Sequence, residues 1–264
     1  MAVSKRMKVA VVLSFFLMIA ANALANALPL NGLNTGQVSD LFPNLFTPAG
    51  YTFAIWSLIY LLLFLHVLYV CGAFPVKYSS LKEDRAMPLE RYFVISSLAN
   101  AAWIISWHYL MIPLSMALIV VMLVCLAKIS GLLRTTELGT QERILVKLPF
   151  SVYFGWITVA TIANACVMLV AFGFADVPYA DIWTIAVLIV GLGIASATAL
   201  KNFDVAYVLV VVWAYAGILV QQLSPLGHAG EYPNIIATLV ICLVLLAAVA
   251  IVIFTRLHRG ARKV

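Results

Sequence analysis

Long apolar stretches alternate with short polar gaps along the whole chain. A bilayer crossing needs about 20 consecutive, mainly apolar residues, and eight stretches meet that length. They cover residues 8–28, 51–74, 92–109, 112–129, 148–172, 182–200, 205–221 and 235–255. All ten prolines fall in the gaps or near the ends of these stretches. Such placement suits helices, because proline breaks the interior hydrogen-bond ladder. The pattern predicts an all-α, polytopic transmembrane bundle of about eight helices.

The gaps are not equivalent. All 16 Lys and Arg residues lie in alternate gaps, beginning with Lys5, Arg6 and Lys8 and ending with Arg256, Arg259, Arg262 and Lys263. Between these ends they form the groups Lys77, Lys82, Arg85 and Arg91, then Lys128, Arg134, Arg143 and Lys147, then Lys201. The other gaps hold Asp40, Asp176, Asp181 and Glu231, or only the short turn at 109–111. A bias of this kind sets membrane orientation and predicts both termini in the cytoplasm. The expected location is a prokaryotic plasma membrane.

Composition agrees with the pattern. The chain is 65% hydrophobic and 10% charged, with mean hydropathy +1.09, against about 45–50% and about 25% for a soluble domain. The net charge of +6 sits beside apolar spans and suits an anionic lipid surface. No basic face supports a nucleic-acid partner. Cys71, Cys125, Cys166 and Cys242 show neither CxxC spacing nor a pairing pattern and read as small packing residues. The N-terminal basic residues and the run from Val9 to Ala27 also fit a cleavable signal peptide, but the run is long for one. A retained first helix is expected.

The first acidic gap, residues 29–50, is long and apolar, with Leu30, Leu33, Val38, Leu41, Phe42, Leu45 and Phe46. Long loops are usually functional or disordered, and this one is too apolar for a tether. It is expected to fold back as a lid or lie in the interface. No HExxH, paired carboxylates or phosphate loop occurs, and no catalytic or metal-binding residue is expected. Gly191 and Gly193 sit inside an apolar span and read as helix-packing residues. His66 is the ionisable residue well inside a span; it reads as a hydrogen-bonded packing residue or as a lone metal or haem ligand.

The distinctive chemistry is aromatic. Phe53, Trp56 and Tyr60 share one helical face, as do Asn100, Trp103 and Trp107, and Tyr153, Trp156, Ala160 and Asn164. Such stripes fit an interfacial aromatic belt. They equally fit an apolar pocket with a few orienting amides for a flat ligand. Spacing alone leaves both open.

These three segments resemble the TspO/MBR family, the tryptophan-rich sensory proteins that include the translocator protein. Pro48, Trp56 and Tyr60, then Asn100, Trp103 and Trp107, then Tyr153, Trp156, Ala160 and Asn164 carry the family spacings in order. The resemblance implies a five-helix core at residues 43–200, with 1–42 adding a helix and part of the lid and 201–264 adding two helices and a basic tail. Val152 stands where the family has proline, and the end of the fifth core helix lacks the tyrosine of the family's cholesterol-associated motif, so cholesterol binding is not carried over. The resemblance implies a binding, sensory or transport role rather than an enzymatic one, with no required cofactor and with a porphyrin or haem as ligand. The implied pocket is Phe53, Trp56, Tyr60, Asn100, Trp103, Trp107, Tyr153, Trp156 and Asn164. Partners would be the bilayer, a small hydrophobic ligand and, as an open option, a second copy of the chain. The alternatives are a secondary transporter of small hydrophobic solutes and, less favoured, a membrane enzyme. No basic residue falls on the loop side, so nothing there would pair with propionates, which favours a neutral ligand.

Overall fold

The computed structural model describes residues 3–28, 30–74, 81–174 and 178–261. Lys77, Asp176, Arg262 and Lys263 of the charge series lie outside the described residues. Ten α-helices follow in order: α1 (Lys5–Ala27), α2 (Thr35–Asp40), α3 (Ile55–Cys71), α4 (Glu83–His108), α5 (Ile112–Arg134), α6 (Thr140–Glu142), α7 (Leu148–Ala171), α8 (Ala180–Asn202), α9 (Val205–Leu223) and α10 (Pro233–Ala261). Eight are long; α2 and α6 are short helices in the connections. Local chemistry fixes their ends. Ser4 caps α1 by accepting from the Met7 N–H, Asp204 caps α9 by accepting from the Tyr207 N–H, and Gly72 closes α3 at φ 92°. Side-chain oxygens at such caps satisfy backbone donors that the helix leaves free.

Seven long helices are apolar enough to cross a membrane by length and composition. The eighth, α4, is not, yet its 26 residues reach about 39 Å at 1.5 Å per residue. Most of its polar residues beyond the first turns point inward. Glu90, Ser96, Ser97, Asn100, Ser106 and His108 are all buried, and α4 lies between α1 and α5. The bundle's exterior is apolar, with Leu13, Phe16, Leu61, Val190 and Ile251 exposed, as a lipid-facing surface requires. The chain is an integral membrane protein.

Helix α4 also begins earlier than the apolar pattern predicts. Residues 83–91 were expected in a polar gap, but they form its first turns. Pro88 therefore lies inside a helix rather than between helices, and Glu90 lies inside the bundle. Proline is tolerable there because it removes one backbone bond close to the helix start.

Five helices close on one another in a ring: α1 on α4, α4 on α5, α5 on α7, α7 on α3 and α3 on α1. Helix α9 packs on α7, α10 on α9, and α8 on α10. The α7–α9 contact is close because of Gly155, where an added Cβ would meet the Tyr207 carbonyl at 2.7 Å and Val210 Cβ at 2.9 Å. Backbone cannot swing aside as a side chain can. Gly155→Ala is therefore expected to force the helices apart and cost about 1–3 kcal/mol. Unfolding in mixed detergent and dodecyl sulfate micelles measures it, and an unchanged midpoint contradicts the packing argument.

The two ends of the bundle differ. At one end residues 30–50 meet the close of α4 and of α9. At the other, Arg85 bonds Thr135, Glu142 bonds Leu81, and Ser151 bonds Asp204. The described basic connections gather at this second end.

Candidate functional site

The three aromatic stripes face one another. Trp56 on α3 is the hub: its ring centroid lies 5.4 Å from Tyr60, 6.0 Å from Trp103, 6.1 Å from Tyr153 and 6.2 Å from Trp156. Phe53 meets Trp156 edge-on at 6.0 Å, and Trp103 stacks on Trp107 at 5.8 Å. These separations are those of attractive aromatic pairs. The stripes thus form one cluster inside the ring of helices rather than a belt around it.

Amides lock the cluster. Trp103 Nε1 donates to Asn164 Oδ1 at 3.1 Å, and Asn164 exchanges bonds with the Ser115 hydroxyl on α5. Asn100 Nδ2 donates to the Tyr153 hydroxyl at 2.9 Å, while its Oδ1 accepts from Asn22 Nδ2 at 2.7 Å. The Tyr153 hydroxyl donates to Met122 Sδ at 3.3 Å. Four helices are tied through two asparagines.

Two cavities meet at Trp56. The outer one, about 630 Å³, runs between α1, α3 and the 29–50 loop and is lined by residues that include Asn22, Asn26, Gln37, Phe53, Trp56 and Tyr60. The inner one, about 50 Å³, lies among Phe53, Trp56, Trp103, Trp107, Trp156 and Asn164, roofed by Ser39 and Phe46. Neither lining includes Lys or Arg, and the outer one includes Asp40. Seven of the nine sequence-assigned residues line one cavity or both. Asn100 and Tyr153, both 0% exposed, line neither; they stand behind the wall and hold it. Two buried donors in the walls have no partner among the described residues: the Tyr60 hydroxyl beside the outer cavity and Trp156 Nε1 beside the inner one. A buried unpaired donor costs about 1–3 kcal/mol, so each is a place where a ligand acceptor would be stabilising.

The loop covers this site, as its apolar content predicts. Helix α2 is held by a reciprocal cap between Asn34 and Gln37, and Val38 and Phe46 are buried. The first half of the loop clasps the end of α4. Trp107 Nε1 donates to the Thr35 carbonyl, Asn31 Nδ2 to the His108 carbonyl, and His108 Nδ1 to the Leu30 carbonyl. The second half clasps α9. Trp213 Nε1 donates to the Thr52 carbonyl, Gln222 Nε2 to the Leu45 carbonyl, and the Ala49 N–H to the Gly217 carbonyl. Helix α9, outside the resemblance, therefore supports the lid and the start of α3.

At the opposite end lies a buried ionisable group that the apolar pattern missed. His66 Nε2 is 3.1 Å from Glu90 Oε1, and both side chains are 0% exposed. His66 Nδ1 lies 3.0 Å from the Leu145 carbonyl, which only accepts, so Nδ1 carries a proton. That carbonyl is available because Pro149, four residues on, has no N–H to offer it, and Arg143–Lys147 widens into a π-helical turn. Phe93 and Phe150 flank the imidazole edge-on. Both ring nitrogens are occupied, which excludes the lone-ligand reading of His66 in this arrangement. Glu142 completes this end, accepting from the Tyr69 hydroxyl and the Leu81 and Gly139 N–H groups.

Fold and site together define a polytopic helical membrane protein with a lidded aromatic cavity. The chain matches the family model described as TSPO-like protein over residues 8–253. It belongs to that family, and the match takes in the first helix and most of the last. No curated protein and no solved structure matched the chain.

Proposed function

We propose that the protein is a membrane ligand-binding, sensory-type protein of the TSPO-like family that takes a flat, hydrophobic and preferably neutral ligand against Trp56. The observation that carries this reading is the pair of unpartnered donors, Tyr60 and Trp156, in the walls of two cavities that share Trp56. Small-molecule sites typically span about 300–1,000 Å³ with a few polar groups in apolar walls, and the outer cavity falls in that range. The inner cavity is too small for a large ring, so a ligand would seat in the outer one and reach Trp103 and Trp156 by displacing Phe53, which lines both. Asp40 and the lack of cations in both linings disfavour dicarboxylate porphyrins relative to their esters. The basic end is proposed to face the cytoplasm, placing the lid outside.

Quenching of tryptophan fluorescence in detergent tests the reading. A porphyrin ester should quench saturably and more tightly than the free diacid. Trp103→Ala combined with Trp156→Ala should weaken binding at least about tenfold, equivalent to about 1.4 kcal/mol. Equal affinity in the double variant sinks the proposal. A transporter would also need the opposite end to open, where His66, Glu90 and Glu142 are sealed in; uptake by reconstituted vesicles would favour that second reading.

A further inference from the structure

A third cavity, of about 920 Å³, opens at the basic end, away from the aromatic cluster. It is bounded by the end of α5, the 136–148 segment, the α8–α9 corner and Leu257 of α10. Arg134, Arg143 and Lys147 line it, and a narrower recess at its base shares Arg134 and Lys147 with Ser151, Asn202 and Asp204. None of the three cations forms an ion pair among the described residues. Arg143 donates only its Nε, to the Leu138 carbonyl at 3.1 Å.

Two acids, Glu137 and Asp204, also line the cavity, so the cations outnumber the carboxylates by three to two. Asp204 is buried, and its carboxylate accepts from the Ser151 hydroxyl and the Tyr207 N–H, its role as the cap of α9. Glu137 is exposed and forms no ion pair among the described residues. The remaining wall combines Thr136, Ser151 and Asn202 with apolar residues and runs onto the lipid-facing exterior through Phe203 and Leu257, both exposed. Cations lining one cleft beside apolar residues at the end of membrane spans match a lipid with an anionic head and acyl tails. Basic pockets between transmembrane helices recognise phosphate head groups in this way.

We infer that this cleft is a binding site for the phosphate head group of an anionic phospholipid, held by Arg134, Arg143 and Lys147 with an acyl chain along Leu148 and Leu257. The guanidinium of Arg134 offers the fork that matches phosphate oxygens, and Lys147 adds a point charge. The site is independent of the ligand proposed for the aromatic cavity.

The full chain in uncharged detergent, titrated with phosphatidylglycerol, phosphatidylcholine or inorganic phosphate, tests this through the thermal unfolding midpoint. Phosphatidylglycerol should raise the midpoint saturably; the other two should not at matched concentration. Arg134→Gln and Lys147→Gln should each shift the titration to about fivefold higher lipid, whereas Glu137→Gln should not weaken it. Native mass spectrometry of the wild-type protein with an equimolar lipid mixture gives a readout independent of any variant, and phosphatidylglycerol should be retained preferentially. Equal retention of both lipids, an equal effect of inorganic phosphate, or variants with an unshifted titration would overturn the assignment.

Discussion

His66→Ala is expected to destabilise the protein by about 3–5 kcal/mol, the cost of removing one partner of a buried ion pair. The imidazole sits at 0% exposure between α3, α4 and the turn before α7. Its loss leaves Glu90 and the Leu145 carbonyl without their partner in a region that water does not reach. It also removes the ring packed between Phe93 and Phe150. The signature of a charge-pair origin is compensation. His66→Leu combined with Glu90→Leu should recover most of the loss, because well-packed apolar residues often replace a buried pair at little cost. Unfolding in mixed micelles measures both variants. A single-variant loss below about 1 kcal/mol, or a double variant as unstable as the sum of the singles, refutes the account.

The pair also shows where a hydropathy pattern stops being informative. Glu83, Asp84, Arg85, Glu90 and Arg91 dilute the start of α4 until it reads as a connection. A helical reading of the same residues finds a continuous inward stripe of Ala86, Glu90, Phe93, Ser97, Asn100, Ile104 and Trp107 at spacings of three and four. Glu90 belongs to that stripe, and only its charge hid it. The other long helices were legible because lipid demands apolar side chains all round, so length and composition suffice. The aromatic stripes were legible as stripes, but a stripe does not say whether it faces lipid or protein. That depends on which helices are neighbours, and neighbours are set by close approaches such as Gly155 against Tyr207. The clasp of Trp213 and Gln222 on the loop had no local signal, since its partners are backbone carbonyls more than 150 residues away.

A consequence for function follows from the separation of the two ends. The aromatic site is walled by helices whose opposite ends are pinned by His66, Glu90 and Glu142, and the loop above it is held by hydrogen bonds at its two halves and by buried Val38 and Phe46. Admitting a ligand at the loop would break these hydrogen bonds and expose Val38 and Phe46, whereas opening the ring would also break the aromatic cluster and its amide bonds. The ring of helices below it can stay fixed.

The wall itself depends on Asn100, and Asn100→Leu is expected to cost about 1–3 kcal/mol by leaving the Asn22 amide and the Tyr153 hydroxyl each short of a partner. Leucine fills the space without replacing either bond, so the loss reports hydrogen bonding rather than a void. Asn22→Ala should cost less, because it leaves one acceptor, Asn100 Oδ1, short of a partner rather than two groups. In the double variant the two effects should fall short of their sum, as expected for residues in one network. Tyr153 also bears on Trp56 at 6.1 Å, so Asn100→Leu should weaken ligand quenching even though Asn100 lines neither cavity. Unfolding in mixed micelles and a quenching titration on the same preparation separate the two roles. Full additivity with Asn22→Ala would break the link between α1 and the site, and unaltered quenching would mean that Trp56 is held by its aromatic neighbours alone.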